Sequence, residues 1–304
     1  MAYELRKRGA SVAAARAERA PAKINLTLRV LGRRPDGYHD IESLVVFAGV
    51  GDTLTFAPAR ALALTVNGPT AAASGTIGDN LVLKAARALA ERVDGLKPGR
   101  FVLTKRLPVA AGVGGGSSDA AAALRLLARA NRIALGDPRL MEAARVTGAD
   151  VPVCLDPRPR MMRGIGEILS GPLALPKLPA VLVNPRVAVP TKDVFAALRG
   201  QLKAQNEGAS DTKLESRPRM KMTELIDAVA GGRNDMEAPA VAIAPVIAQV
   251  LADLRALRGC RRARMSGSGA TSFGLFGTAQ AAAAAARALR VKHPDWWIRV
   301  TKLG

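Results

Sequence analysis

The chain alternates short aliphatic and β-branched runs with helical stretches, and turn residues separate them. Residues 22–31, A-K-I-N-L-T-L-R-V-L, are β-rich and alternate in places, which predicts a strand. The turn-rich R-R-P-D-G-Y-H-D follows. S-L-V-V-F-A-G-V-G-D-T-L-T-F-A-P predicts a strand, a turn at Gly49–Asp52 and another strand, and A-L-A-L-T-V a further one. From Asn80, apolar residues at 81, 82, 85, 86 and 89 fit a helix. F-V-L-T-K-R-L-P-V reads as a strand ending at Pro108. A glycine loop and an alanine-rich helix over 118–131 come next.

D-P-R-L-M-E-A-A-R-V-T-G predicts a helix that Gly148 would cap. A-V-L-V-N-P at 180–185 is an apolar strand stopped by Pro185, and P-T-K-D-V-F-A-A-L-R-G restarts as a helix with Thr191 at its N-cap. Residues 200–222 are polar and weakly patterned, as in an exposed loop. The remainder alternates helix, strand, strand, helix and strand. No internal repeat is visible. A boundary falls near 170–178, giving units of 21–172 and 173–304 behind a mobile extension at 1–20.

The 304 residues are a soft prior for two domains, and 49% hydrophobic residues are ample for a core. The net charge of +20 raises nucleic acid, an anionic membrane or phosphorylated small molecules as partners. The excess is mostly Arg and spread along an Ala-rich chain, so compositional bias explains it as simply. A basic nucleic-acid-binding protein is the rival class, and it requires steeply salt-dependent duplex binding. Aromatic residues at 3% argue against base-stacking modules. Cys154 and Cys260 form no C-x-x-C and read as buried free thiols; His39 and His293 cannot build a metal site alone. No apolar run is long enough to span a membrane.

The chemistry concentrates at 112–119, G-V-G-G-G-S-S-D. Glycine lets a backbone approach an anion closely, and a helix starting just afterwards adds unpaired N–H groups and its positive dipole end. Strand, glycine loop and helix together therefore hold phosphate. Asp119 stands where it would approach a magnesium ion. No lysine follows as a Walker A loop requires, and Ser117 occupies the last glycine of the dinucleotide fingerprint.

P-V-A-A-G-V-G-G-G-S-S-D-A-A resembles the nucleotide loop of the GHMP kinase superfamily. A-K-I-N-L at 22–26 and S-G-S-G-A-T at 266–271 resemble its N- and C-terminal motifs in the same order. D-G-Y-H-D-I-E-S at 36–43 and G-A-D-V-P-V-C-L at 148–155 narrow the resemblance to the branch acting on a cytidine diphosphate-linked methylerythritol.

The resemblance implies an α+β fold of two domains. The N-terminal one carries the glycine-rich nucleotide loop, and the C-terminal one is smaller and ferredoxin-like. It implies ATP and Mg2+ as cofactors, phosphorylation of a tertiary hydroxyl, and a cytoplasmic monomer or weak homodimer with no nucleic-acid or membrane partner. Asp150 matches the general base, with a helix-capping Asp as its alternative, and Lys23 the second catalytic residue, otherwise an exposed strand lysine. Asn80 and Lys84 fall in the adenosine pocket, although Asn80 also suits an N-cap. Pro108, Val109, Ala110, Ala111, Gly112, Val113, Gly114, Gly115, Gly116, Ser117 and Ser118 form the phosphate loop. Asn25, Tyr38, His39, Thr191 and Phe195 are matched to the substrate, Tyr38 and Phe195 as two faces against cytosine; ordinary helix packing is the alternative for Phe195. Gly267 and Ser268 steady phosphate or substrate, or else form a plain hairpin turn.

Where the family carries a glycine-rich segment after D-V-P, this chain reads D-P-R-P-R-M-M-R-G-I-G-E. Arg158, Arg160 and Arg163 are expected there to face the substrate diphosphate.

Overall fold

The computed structural model describes residues 16–198 and 220–304. The N-terminal domain is organised on one long strand, β3 (His39–Pro58). It pairs antiparallel with β1 (Arg16–Asn25), β2 (Arg29–Arg33), β5 (Gly99–Thr104) and β6 (Arg160–Gly164). Strand β4 (Ala63–Asn67) adds in parallel to β5, and β7 (Ile168–Leu169) pairs with β6. Helices α1 (Leu81–Ala90), α2 (Gly115–Ala130), α3 (Pro138–Thr147) and α4 (Val151–Leu155) cover the sheet.

Helix α2 sits at the centre, against β1, β3 and the other three helices. Its run Ala120–Ala123 is fully buried, so alanine here provides close approach on every side rather than an amphipathic face. Arg125 is buried with it. Its guanidinium meets Glu18 at 3.1 Å and donates to the carbonyl oxygens of Cys154 and Arg19.

The C-terminal domain contains β8 (Leu178–Asn184), α5 (Thr191–Leu198), α6 (Met222–Gly231), α7 (Glu237–Ile243), α8 (Val246–Ala256), β9 (Cys260–Met265), β10 (Ser272–Phe276), α9 (Ala279–Lys292) and β11 (Trp297–Leu303). Its strand order is β11-β8-β10-β9, all antiparallel, with α8 and α9 packed against the sheet. Two split β-α-β units in that order make the expected ferredoxin-like layer. Leu303 pairs with Ala48, which joins β11 to β3 and makes the two sheets continuous. A second core cluster combines Ile24, Leu26, Leu44 and Val46 of one domain with Leu182, Phe273, Leu275 and Trp297 of the other. The domains therefore share buried apolar surface. None of the described helices is long and apolar enough to cross a membrane.

Several expectations change. The strand over 22–31 is two strands, because Leu28 leaves the ladder to bridge Asn234. The turn at Gly49–Asp52 does not exist; β3 continues through it, with an irregularity in its pairing with β1, where Pro21 is opposite Gly51 and Lys23 opposite Phe47. Asp52 is buried there, accepting from Lys105 Nζ and from the N–H groups of Arg106 and Leu107. Gly51 serves close packing, since a Cβ on it would lie 2.3 Å from the Ala20 carbonyl oxygen. Residues 16–20 belong to β1 rather than to an extension: Ala20 is buried, and Glu18 pairs with Arg125 and Arg129. Residues 1–15 lie outside the described residues, as does most of 200–222. Strand β5 ends at Thr104, short of Pro108. Cys154 is buried as expected, but Cys260 at the start of β9 is partly exposed.

Gly51→Ala should destabilise the chain by about 2 kcal/mol or more, the range for forcing a methyl into filled space. Urea unfolding measures it; a change below about 0.5 kcal/mol, the level of an ordinary surface substitution, would mean that β1 and β3 are not in close contact there.

Candidate active site

A cleft of about 580 Å³ brings together β1, the glycine loop, the start of α4, the β9–β10 connection and α5. Three motifs far apart in the chain meet at its base. The N–H of Lys23 donates to the Val113 carbonyl at 2.8 Å, and that of Thr271 to Ala111 at 3.1 Å. The Ser266 hydroxyl donates to the Gly112 carbonyl at 3.0 Å and accepts from the Asn25 N–H at 3.1 Å. Gly112 has φ +71°, and a Cβ on it would stand 2.4 Å from the Ser266 carbonyl oxygen and 2.7 Å from the Gly269 nitrogen. Only glycine fits.

Gly114, with φ +59°, caps α2, so the helix begins at Gly115 rather than at 118. The first bond of the helical ladder runs from Ser118 N–H to the Gly114 carbonyl. The N–H groups of Gly115, Gly116 and Ser117 thus have no carbonyl ahead of them, and all three residues line the cleft. This is an anion site made of backbone, with the helix dipole behind it.

Lys23 Nζ lies 2.8 Å from Asp150 Oδ1, with the lysine side chain 6% exposed and the aspartate 36%. Asp150 precedes α4 but makes no capping bond, so its carboxylate is committed to the cleft and to Lys23. Asn25, two residues along β1, faces the same way. Its Nδ2 donates to Ser43 at 2.7 Å, while Oδ1 is buried without a hydrogen-bond partner among the described residues. That oxygen is an acceptor waiting for a donor. Thr191 begins α5, and its hydroxyl lies 2.8 Å from that of Ser268; both line the cleft with Gly267. Asn80 lines it too, while capping α1 through Val82 N–H.

Not every candidate converges. Lys84 is exposed on α1, and Val113 is buried in the core. Ser118 is buried against β1, its hydroxyl donating to the Pro21 carbonyl at 2.6 Å, so it does not face the cleft. Tyr38 is 58% exposed in its turn. His39 instead stacks on Phe195, centroids 4.5 Å apart and planes 15° from parallel, joining the two domains at the cleft. The arginines expected toward a diphosphate pair with protein carboxylates: Arg158 and Arg160 with Asp156, Arg163 with Glu42. None lines the cleft: the β6–β3 register sets Arg163 opposite Glu42, while Arg158 and Arg160 fold back on Asp156 at the end of α4.

Two residues of the site escaped the sequence analysis. Lys105 Nζ is buried between Asp52 at 2.5 Å and Asp119 at 2.7 Å, directly under the glycine loop. Burial pushes the Lys105 ammonium down, but Asp119 and Asp52 outweigh it and leave it above its ordinary value. Asp119 is pushed up to about 7, by burial first; Lys105 opposes the shift and Asp52 adds to it. Asp119 Oδ1 is buried with no hydrogen-bond partner among the described residues, and Asp119 lines the cleft. Asn234 is the second. Its Nδ2 donates to the carbonyls of Met265 and Gly267, both at 2.9 Å, which fixes the β9–β10 connection. The L-T-K-R-L segment at the end of β5 and the G-G-R-N-D turn carry no signal for either role.

Comparison with known proteins agrees with this geometry. Residues 80–156 match the family model "GHMP kinases N terminal domain" and residues 219–294 match "GHMP kinases C terminal". The chain is 60% identical over 289 residues to 4-diphosphocytidyl-2-C-methyl-D-erythritol kinase of Methylobacterium radiotolerans, covering 94% of this chain and 98% of that protein. It is 56% identical over 290 residues to the kinase of the same name from Rhodopseudomonas palustris, with the same coverage. A crystal structure of 4-(cytidine 5'-diphospho)-2C-methyl-D-erythritol kinase superposes with a TM-score of 0.75 at 34% identity, covering 95% of this chain and 99% of that one.

The Asp119 shift has a definite sign. Its value in the unfolded chain is about 3.9. Between there and about 7 the folded state holds a proton that the unfolded chain lacks, so stability falls as pH rises through that window. Asp119→Asn cannot titrate. Its stability relative to wild type, from urea unfolding, should improve between about pH 5 and about pH 8. A constant difference at the two pH values would contradict the shift.

Proposed function

We propose that this chain, which belongs to the GHMP kinase family, transfers the γ-phosphoryl group of ATP to the C2 hydroxyl of 4-diphosphocytidyl-2-C-methyl-D-erythritol. The products are the 2-phosphate and ADP, in the non-mevalonate route to isoprenoid precursors. The observation that carries the chemistry is the Lys23–Asp150 pair, held 2.8 Å apart in the same cleft as the exposed N–H groups of the glycine loop. The choice of alcohol rests on the similarity to kinases of that name along nearly the whole chain.

Phosphoryl transfer asks for positioning, charge neutralisation and a proton acceptor rather than covalent help. The N–H groups of Gly115, Gly116 and Ser117 receive the nucleotide phosphates, and Asn80 borders the nucleoside. Asp150 takes the proton of the attacking hydroxyl. Lys23 neutralises charge growing on that oxygen. Asn25 Oδ1 accepts from a substrate hydroxyl and thereby orients it. Phe195, which lines the cleft and stacks on His39, supplies a ring face suited to cytosine.

The cleft also fits a magnesium ion. Mg2+ is held in such sites by one or two protein oxygens plus phosphates. The described residues contain no cage of three or more His, Cys, Asp or Glu, but the partnerless Asp119 Oδ1 and the Ser117 hydroxyl stand at the loop. Those two groups would hold the ion, which when bound neutralises phosphate charge.

A coupled ADP-release assay with Mg-ATP and this substrate tests the reading. Wild type should turn over, and Asp150→Ala should lose about a hundredfold or more in kcat. Survival of turnover in the variant would remove Asp150 as the base. A wild type that binds an ATP analogue yet ignores this alcohol would mean a different acceptor. Phe195→Ala should raise KM for the alcohol about tenfold with kcat little changed, the pattern of lost ground-state binding.

A further inference from the structure

A second cavity, of about 320 Å³, has no lining residue in common with the cleft. Three arginines from three elements line it: Arg19 of β1, Arg106 after β5 and Arg299 of β11, whose guanidinium lies 5.2 Å from the Trp297 ring centroid. Leu107, Val50 and Trp297 form its apolar walls.

All three arginines are solvent-exposed at the mouth of this hollow. Among the described residues no carboxylate pairs with Arg19, Arg106 or Arg299. Each is instead held at one nitrogen by a neutral oxygen. Arg19 donates to the Gly49 carbonyl, Arg106 to Thr53 Oγ1 at 3.0 Å and Arg299 to the Ile298 carbonyl at 2.9 Å. These bonds orient the forks without neutralising them, and their other N–H donors remain available. Partial burial, with Arg290 and Arg186 nearby, holds the Arg299 guanidinium below its ordinary value.

We propose that this cavity is an anion site that takes a diphosphate. A guanidinium fork matches two phosphoryl oxygens at once, and three forks around one hollow suit adjacent phosphoryl groups better than a single carboxylate. The apolar walls leave room for a small organic group on the diphosphate.

The test is isothermal titration of the full chain without magnesium, the cleft first saturated with a non-hydrolysable ATP analogue. Inorganic pyrophosphate and hexyl diphosphate are the probes. Wild type should bind one further equivalent, more weakly at higher salt, and Arg19→Ala/Arg299→Ala should weaken it about tenfold or more. Arg299→Lys, which keeps the charge and loses the fork, should fall between them. Tighter binding of hexyl diphosphate points to an organic ester, and equal binding to free pyrophosphate. ADP release by the double variant should stay at the wild-type level and circular dichroism unchanged, since neither arginine touches the cleft. No further equivalent in wild type, or unchanged affinity in a folded double variant, overturns the site.

Discussion

The close contact of Gly112 with the Ser266–Gly269 backbone is the constraint on which the site depends. It brings a loop of the N-terminal domain within 3 Å, at a virtual Cβ, of backbone atoms in the C-terminal domain. The Ser266 hydroxyl then links the Gly112 carbonyl to the Asn25 N–H, and the Val113 carbonyl accepts from Lys23. Through that one junction the glycine loop, the strand carrying Lys23 and Asn25, and the β9–β10 connection acquire a fixed relation. The shared apolar cluster beneath it, Ile24 and Leu26 against Phe273 and Leu275, makes the relation stiff.

Charge is managed in the same region. Burying an ionised group costs free energy unless it is paired and hydrogen-bonded. Lys105 offsets two acids, and Asp52 also takes two backbone N–H groups from the turn that leads into the loop. The cluster thus braces the loop from below. It also leaves one carboxylate oxygen, on Asp119, unspent at the edge of the cleft. An unpaired buried acceptor is unfavourable on its own.

Much of this was legible in the sequence because it is local. The glycine loop, the Asn80 cap, the Gly148 cap and the C-terminal order of helices and strands follow from periodicity and turn chemistry. Asp150 and Lys23 were located through resemblance, and their pairing is a long-range fact that spacing does not contain. What failed was non-local. Gly49–Asp52 has turn composition, but its polar residue is paid for by Lys105 and its glycine by the neighbouring β1. Arg158, Arg160 and Arg163 have the right chemistry for phosphate, yet Asp156 and Glu42 claim them. Tyr38 and Phe195 look like two faces of one slot, while in the fold His39 is the ring against Phe195.

The most direct measurement is nucleotide affinity of Gly112→Ala, titrated with a fluorescent ATP analogue beside Gly136→Ala, a glycine with open space around it. If the loop exists by close approach, Gly112→Ala should lose about tenfold or more in affinity, since φ and backbone overlap both oppose a methyl there. Gly136→Ala should bind as wild type does. Wild-type affinity in a folded Gly112→Ala would contradict the claim that this contact builds the nucleotide site.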